Sequence, residues 1–168
     1  MNIKRIAKHL TMTDWQVKQV FTEKTLTAIE ESIKTSEAAH AGQIRFVVEG
    51  ALDCAPLFKH QSSQERALDV FSQLRIWDTW DTEHNNGLLI YLLFADRAVE
   101  IVADRGIHAK VGAEEWQTIC RRMESDFKQA NYQNGVLMGI DAMTQLLTQH
   151  FPASEGSQNE LPDKPVVL

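Results

Sequence analysis

Apolar residues recur at helical spacing behind Thr13, where Trp15, Val17, Val20 and Phe21 follow. Thr13 pairs with Gln16 as a capping box, so a short helix is predicted to start there. A second start at Thr22 leads into Leu26, Ile29 and Ile33, one buried face of a longer helix that ends near His40 with Gly42 beyond it. The run Ile44–Glu49 is short and rich in β-branched residues, and Gly50 closes it, so it is predicted as a strand. Pro56 marks a loop. Ser62 and Glu65 form another capping box, followed by a helical stripe of Ala67, Leu68, Phe71 and Leu74.

The segment Leu88–Phe94 is apolar at every position. A strand with one solvated face alternates; an unbroken run predicts a central strand covered on both sides. Ala95–Ala98 then turns the chain into a returning strand, Val99–Ala103, which Asp104-Arg-Gly-Ile107 ends. The last third is helical: Trp116, Ile119, Cys120, Met123 and Phe127 share one face. Asn131 reads as a stop and Asn134 as the cap of a final helix carrying Val136, Ile140, Met143 and Leu147. The prediction is therefore an α/β fold, a three-layer α/β/α sandwich. Its central mixed sheet contains a parallel strand–helix–strand unit and a β-hairpin. Residues 1–12 read as an N-terminal extension and 13–151 as the domain. Residues 152–168, polar and aperiodic, read as a disordered tail.

Composition narrows the function. With 17 Lys+Arg against 23 Asp+Glu the formal charge is −6, and no basic patch of the kind nucleic acid requires is visible. Cys54 and Cys120 show no CxxC spacing, which argues for free thiols in a reducing compartment. Neither a secretory h-region nor a membrane-length apolar run is present. The expectation is a cytoplasmic chain without a transmembrane segment.

Chemistry is expected at one end of the hairpin. The entry of its first strand and the exit of its second are neighbours, so the acidic loop Asp81–Asn86 is predicted to approach Asp104-Arg105. Such oxygen-rich loops suit a hard divalent cation. Asp81, Asn86 and Asp104 are the leading ligands, with Asp78, Glu83 and Asn85 as possible extras. Arg105 is a candidate anion contact. Turn and cap chemistry selects the same residue types, which is the alternative reading. Trp77 and Trp80 flank the loop, either as core caps or as a ligand wall. Gly87 is expected to relieve a steric or backbone constraint at the strand entry.

His84 and His108 lie in these loops, but neither has the spacing of a paired imidazole site. His40, His60 and His150 read as surface, and His9 has no assigned role. The P-loop, the GxGxxG fingerprint and the GxSxG elbow are all absent. The segment Asp78-Thr-Trp-Asp81 has the wrong spacing for an aspartyl-phosphate phosphatase box.

The stretch Asn85-Asn-Gly-Leu-Leu-Ile-Tyr-Leu-Leu-Phe-Ala-Asp-Arg-Ala-Val-Glu-Ile-Val-Ala-Asp-Arg-Gly-Ile107 resembles the central hairpin of the TPM domain family, once a domain of unknown function and represented in thylakoid proteins. Ile29-Glu-Glu-Ser-Ile33, the strand Ile44–Glu49, Trp116 to Phe127, Tyr132-Gln-Asn-Gly135 and Gly139-Ile140 extend the likeness over residues 13–151. The resemblance implies acidic loops at one sheet end that bind calcium, or else Mg²⁺ or Mn²⁺, and weak acid-phosphatase activity in some members. Asn86 matches the asparagine of the family's strand entry. Asp104 stands where its Gly-x-Gly turn begins, written here as Asp104-Arg-Gly106. Two functions are carried forward. One is a divalent-metal-binding domain hydrolysing phosphomonoesters; the other is a non-catalytic interaction or assembly module of membrane-associated complexes, its protein partner unknown.

Overall fold

A computed structural model of the chain describes residues 3–74, 76, 86–153 and 161–168. The elements run α1 (Ile3–Thr11), α2 (Asp14–Val20), α3 (Glu23–Glu37), β1 (Gln43–Glu49), α4 (Cys54–Phe58) and α5 (Ser63–Gln73). They continue with β2 (Gly87–Leu93), β3 (Ala98–Ala103), α6 (Arg105–His108), α7 (Ala113–Lys128), α8 (Tyr132–His150) and β4 (Val166–Val167). The four strands form one sheet in the order β3-β2-β1-β4. β1 pairs parallel with β2, Gln43 opposite Gly87 through Glu49 opposite Leu93. β2 and β3 pair antiparallel, Leu88 opposite Ala103. The α/β/α architecture is the one the sequence predicts.

The unbroken apolar run of β2 is explained by alternation onto two cores. Leu88, Ile90 and Leu92 join Ile44, Phe46 and Val48 beneath a layer of α2, α3, α7 and α8, with Ile29, Ile33, Met123, Phe127, Ile140 and Leu147. Leu89, Tyr91 and Leu93 join Val47 against the other layer, where Leu57, Ala67, Val70 and Phe71 come from α4 and α5. In α8, Gly135 and Gly139 let α7 approach. A Cβ at Gly135 would lie 2.7 Å from a ring carbon of Phe127, and one at Gly139 2.5 Å from the Met123 sulfur.

Local caps form where the sequence places them. Ser62 Oγ accepts from the Glu65 N–H at 3.1 Å, and Glu65 returns an acceptor to the Ser62 N–H at 2.8 Å. At Thr13 the N–H donates to Gln16 Oε1 at 2.9 Å. Other expectations need correction. Pro56 lies within the short helix α4, in its first turn, where proline's missing N–H is no loss. Asn131 directly precedes α8 and Asn134 lies inside it; the break after α7 falls at Ala130, whose φ is 62°.

Both chain ends are also built in. Residues 3–11, expected as an extension, form a docked helix. His9 is buried, and its Nδ1 accepts the Leu52 N–H at 2.9 Å. Arg5 Nε donates to Asp96 in the hairpin turn at 2.8 Å. The expected disordered tail is corrected over 161–168. Leu161 is buried in the second core, and Val166 and Val167 pair with Val47 and Val48 of β1. Four apolar residues without periodicity predict nothing alone; an open edge of β1 supplies their partners.

Candidate functional site

The site is assembled where β1 and β2 begin and β3 ends. The Gln43 N–H donates to Asn86 O at 2.9 Å, and the Asp104 N–H donates to Gly87 O at 2.9 Å. The hairpin therefore brings Asn86 beside Asp104, as the topology predicts. A Cβ on Gly87 would lie 2.7 Å from Ile76 Cγ2 and 3.1 Å from its carbonyl oxygen, so only glycine fits this strand entry without displacement. Asp78, Asp81, Glu83, Asn85, Trp77, Trp80 and His84 lie outside the described residues.

Both described ligand candidates are buried, Asn86 at 7 % and Asp104 at 5 % exposure. Asn86 Nδ2 donates to Ala41 O. Asp104 Oδ1 accepts the Arg105 N–H at 2.6 Å and caps α6. Their remaining oxygens, Asn86 Oδ1 and Asp104 Oδ2, are buried and have no hydrogen-bond partner among the described residues. Each such orphan costs about 1–3 kcal/mol unless something outside the described residues satisfies it. Among the described residues, no three His, Cys, Asp or Glu side chains converge as a ligand set. The Arg105 side chain is exposed beside the site. His108 is exposed and borders a separate groove of about 310 Å³ with Glu100, Trp116 and Cys120.

A second group of polar residues shares this end of the sheet and has no signal in the sequence, because the partners that tie it to residues 161–164 are more than a hundred positions away. Gln43 Oε1 accepts the Leu161 N–H at 3.1 Å. Arg45 Nη1 donates to Pro162 O, and to Lys164 O at 3.4 Å. Glu37 Oε1 accepts the Ile44 N–H at 2.6 Å. Burial, with the Asp163 carboxylate nearby, raises the Glu37 carboxyl to about 8 despite that hydrogen bond. The folded chain keeps this proton above pH 4.5, where an unfolded glutamic acid has lost it. The stabilisation is thus full at low pH and fades as pH rises to about 8. Glu37→Gln is expected to remove a loss of roughly 1–3 kcal/mol between about pH 6.5 and about pH 8. Urea denaturation at both pH values checks this; equal losses in wild type and variant would refute it.

The described residues show no activated nucleophile. Ser36 and His40 touch, Oγ to Nε2 at 2.8 Å, but both are buried, against the surface position expected for His40. His40 Nδ1 accepts the Gly42 N–H at 3.1 Å, so Nε2 carries the proton and donates to Ser36. Ser36 Oγ lies 2.6 Å from Thr144 Oγ1, which donates to Ile140 O at 2.7 Å. The protons run away from the imidazole, so this histidine is no base for the serine. Burial pushes the Cys120 thiol up to about 12, which keeps it protonated.

A family model for the TPM domain matches residues 16–146. The fold is similar to BA42 from the psychrophilic bacterium Bizionia argentinensis, with a TM-score of 0.75 and 28% identity, covering 88% of this chain and 94% of that one. The N-terminal domain of a protein from P. gingivalis shares the fold at 20% identity and a TM-score of 0.59, over 79% of this chain and 82% of that one. So does the N-terminal domain of cg2496 from Corynebacterium glutamicum, at 12% identity and a TM-score of 0.55, over 79% and 78%. No curated protein matches the chain in sequence. The family match spans well over half of the chain and includes the hairpin that places Asn86 beside Asp104, and the chain belongs to the TPM domain family.

Proposed function

We propose that the strand ends carrying Asn86 and Asp104 hold a divalent cation, calcium first and Mg²⁺ or Mn²⁺ as alternatives, and that cation binding is the primary property of this chain. The observation that carries the reading is the pair of buried oxygens, Asn86 Oδ1 and Asp104 Oδ2, on adjoining strand ends, neither with a partner among the described residues. A hard cation satisfies both at once, and calcium takes six to eight oxygen ligands. The acidic loop supplies the remaining donors in this proposal, Asp81 foremost, with Asp78, Glu83 and Asn85 as further candidates. A cation held there lowers the pKa of bound water and polarises a phosphoryl oxygen. Arg105, exposed alongside, is the proposed contact for an anionic phosphomonoester.

Thermal melting in Ca²⁺, Mg²⁺ and Mn²⁺ tests the binding. A hundredfold excess over Kd is expected to raise Tm by roughly 5–10 °C. Asp104→Asn is the informative variant, because the amide oxygen still caps α6 while the charge on Oδ2 is gone. Absence of a shift with every ion, or an undiminished shift in Asp104→Asn, would sink the proposal. A chromogenic phosphomonoester then separates the two functions: turnover lost in Asp104→Asn assigns hydrolysis, and binding without turnover assigns the interaction module.

A further inference from the structure

The opposite end of the sheet has a different surface. Six of the eight large apolar side chains exposed among the described residues gather there: Ile3, Leu10, Trp15, Phe58, Val167 and Leu168. Four contacts place the elements that carry them at the C-terminal ends of β1 and β2. Arg5 donates to Asp96 in the β2–β3 turn at 2.8 Å, and His9 Nε2 lies 3.2 Å from the same carboxylate. α1 packs on α4, which carries Phe58. Val17 of α2 packs where a Cβ on Gly50 would lie. The Gly50 N–H donates to Leu168 O at 3.3 Å. Ile3 and Trp15 are 71 % and 65 % exposed, far from the bland burial of an indole in a core.

Charge segregates with them. Residues 3–20, 53–60 and 95–97 hold six cationic side chains, Lys4, Arg5, Lys8, Lys18, Lys59 and Arg97, against three anionic ones, Asp14, Asp53 and Asp96. These three segments sum to +3 in a chain of −6. In α1 the inward face is Arg5, Ile6 and His9. Helical spacing sets Ile3, Ala7 and Leu10 in a stripe beside Lys4 and Lys8, all five exposed. An apolar stripe flanked by lysines, with an exposed indole nearby, is the composition of a helix lying in a lipid headgroup layer.

We infer that this pole docks on an anionic lipid surface. The lysines meet the headgroups, Ile3, Leu10, Trp15 and Phe58 enter the acyl boundary, and the Asn86–Asp104 end faces away from the membrane. A net charge of −6 repels an anionic bilayer, so binding requires the lysines of these cationic segments and is not a generic electrostatic effect.

Flotation of the full chain with phosphatidylcholine vesicles, with and without phosphatidylglycerol, tests it. Binding is expected only with phosphatidylglycerol and is expected to weaken as salt rises. Lys4→Gln with Lys8→Gln is expected to weaken it about thirtyfold, and Leu10→Ser with Phe58→Ser to weaken it as well. Lys34→Gln with Lys110→Gln removes the same charge from the other end and is expected to bind as wild type does. All these positions are exposed, and unchanged melting curves confirm that each variant folds. No binding to anionic vesicles, or equal losses in both lysine pairs, would overturn the inference. So would a concentration-dependent dimer abolished by the Leu10 and Phe58 changes, which would assign the patch to a second copy of the chain.

Discussion

Arg66→Ala is expected to destabilise the chain by about 3–5 kcal/mol. Glu49 closes β1 on the α5 side and is buried. Arg66 of α5 grips it with both arms of the guanidinium, Nη2 to Oε1 at 2.8 Å and Nε to Oε2 at 2.9 Å. The Tyr91 hydroxyl donates to Oε2 at 2.5 Å, and burial raises that phenol well above its usual range. Truncating Arg66 leaves a carboxylate in the second core with one neutral donor. The cost is that of an uncompensated buried charge, more than the worth of the pair itself. The double variant Glu49→Gln/Arg66→Met is therefore expected to recover most of the loss. Urea denaturation with an unchanged m-value measures both. A loss under about 1 kcal/mol for Arg66→Ala would mean that water reaches Glu49 and that the network is ordinary surface pairing.

His40 is expected to stay neutral down to about pH 4, because burial lowers its ring from an ordinary 6.5. Between those values the unfolded chain takes up a proton that the folded chain refuses, so the stability from a neutral His40 is complete above about pH 6.5 and is lost as pH falls to about 4. The difference corresponds to roughly 3 kcal/mol. Glu37 acts with the opposite sign across part of the same range, so the loss is clearest in Glu37→Gln. Titration of the imidazole Cε1 proton by NMR gives the direct measurement. A midpoint near 6.5 would show that the ring is hydrated and that the chain of hydrogen bonds through Ser36 and Thr144 does not hold it.

The tail is the sharpest lesson on what a linear reading misses. Its polar middle argues for disorder, yet Val166 and Val167 complete the sheet because β1 leaves an edge open to them. The same blindness hides Glu37, Gln43 and Arg45. Each is unremarkable in its own element and acquires a role through residues 161–164. His9 is another case, since the carboxylate it meets, Asp96, lies on a hairpin turn far along the chain. The candidate site was legible in outline, because a hairpin must set its strand entry beside its exit. The burial that orphans Asn86 Oδ1 and Asp104 Oδ2 was not, since it follows from distant residues closing on the strand entry, Ala41 on Asn86 Nδ2 and Ile76 on Gly87.

Local chemistry decided the helix caps at Thr13 and Ser62, and the unbroken run of β2 decided a sheet covered on both faces. Short-range hydrogen bonds and side-chain periodicity specify both without reference to the rest of the molecule. Only the folded structure decided which ionisable groups are denied water and which apolar ones are left exposed at one charged pole. Solvation is a property of the assembled surface, summed over elements that no local window contains.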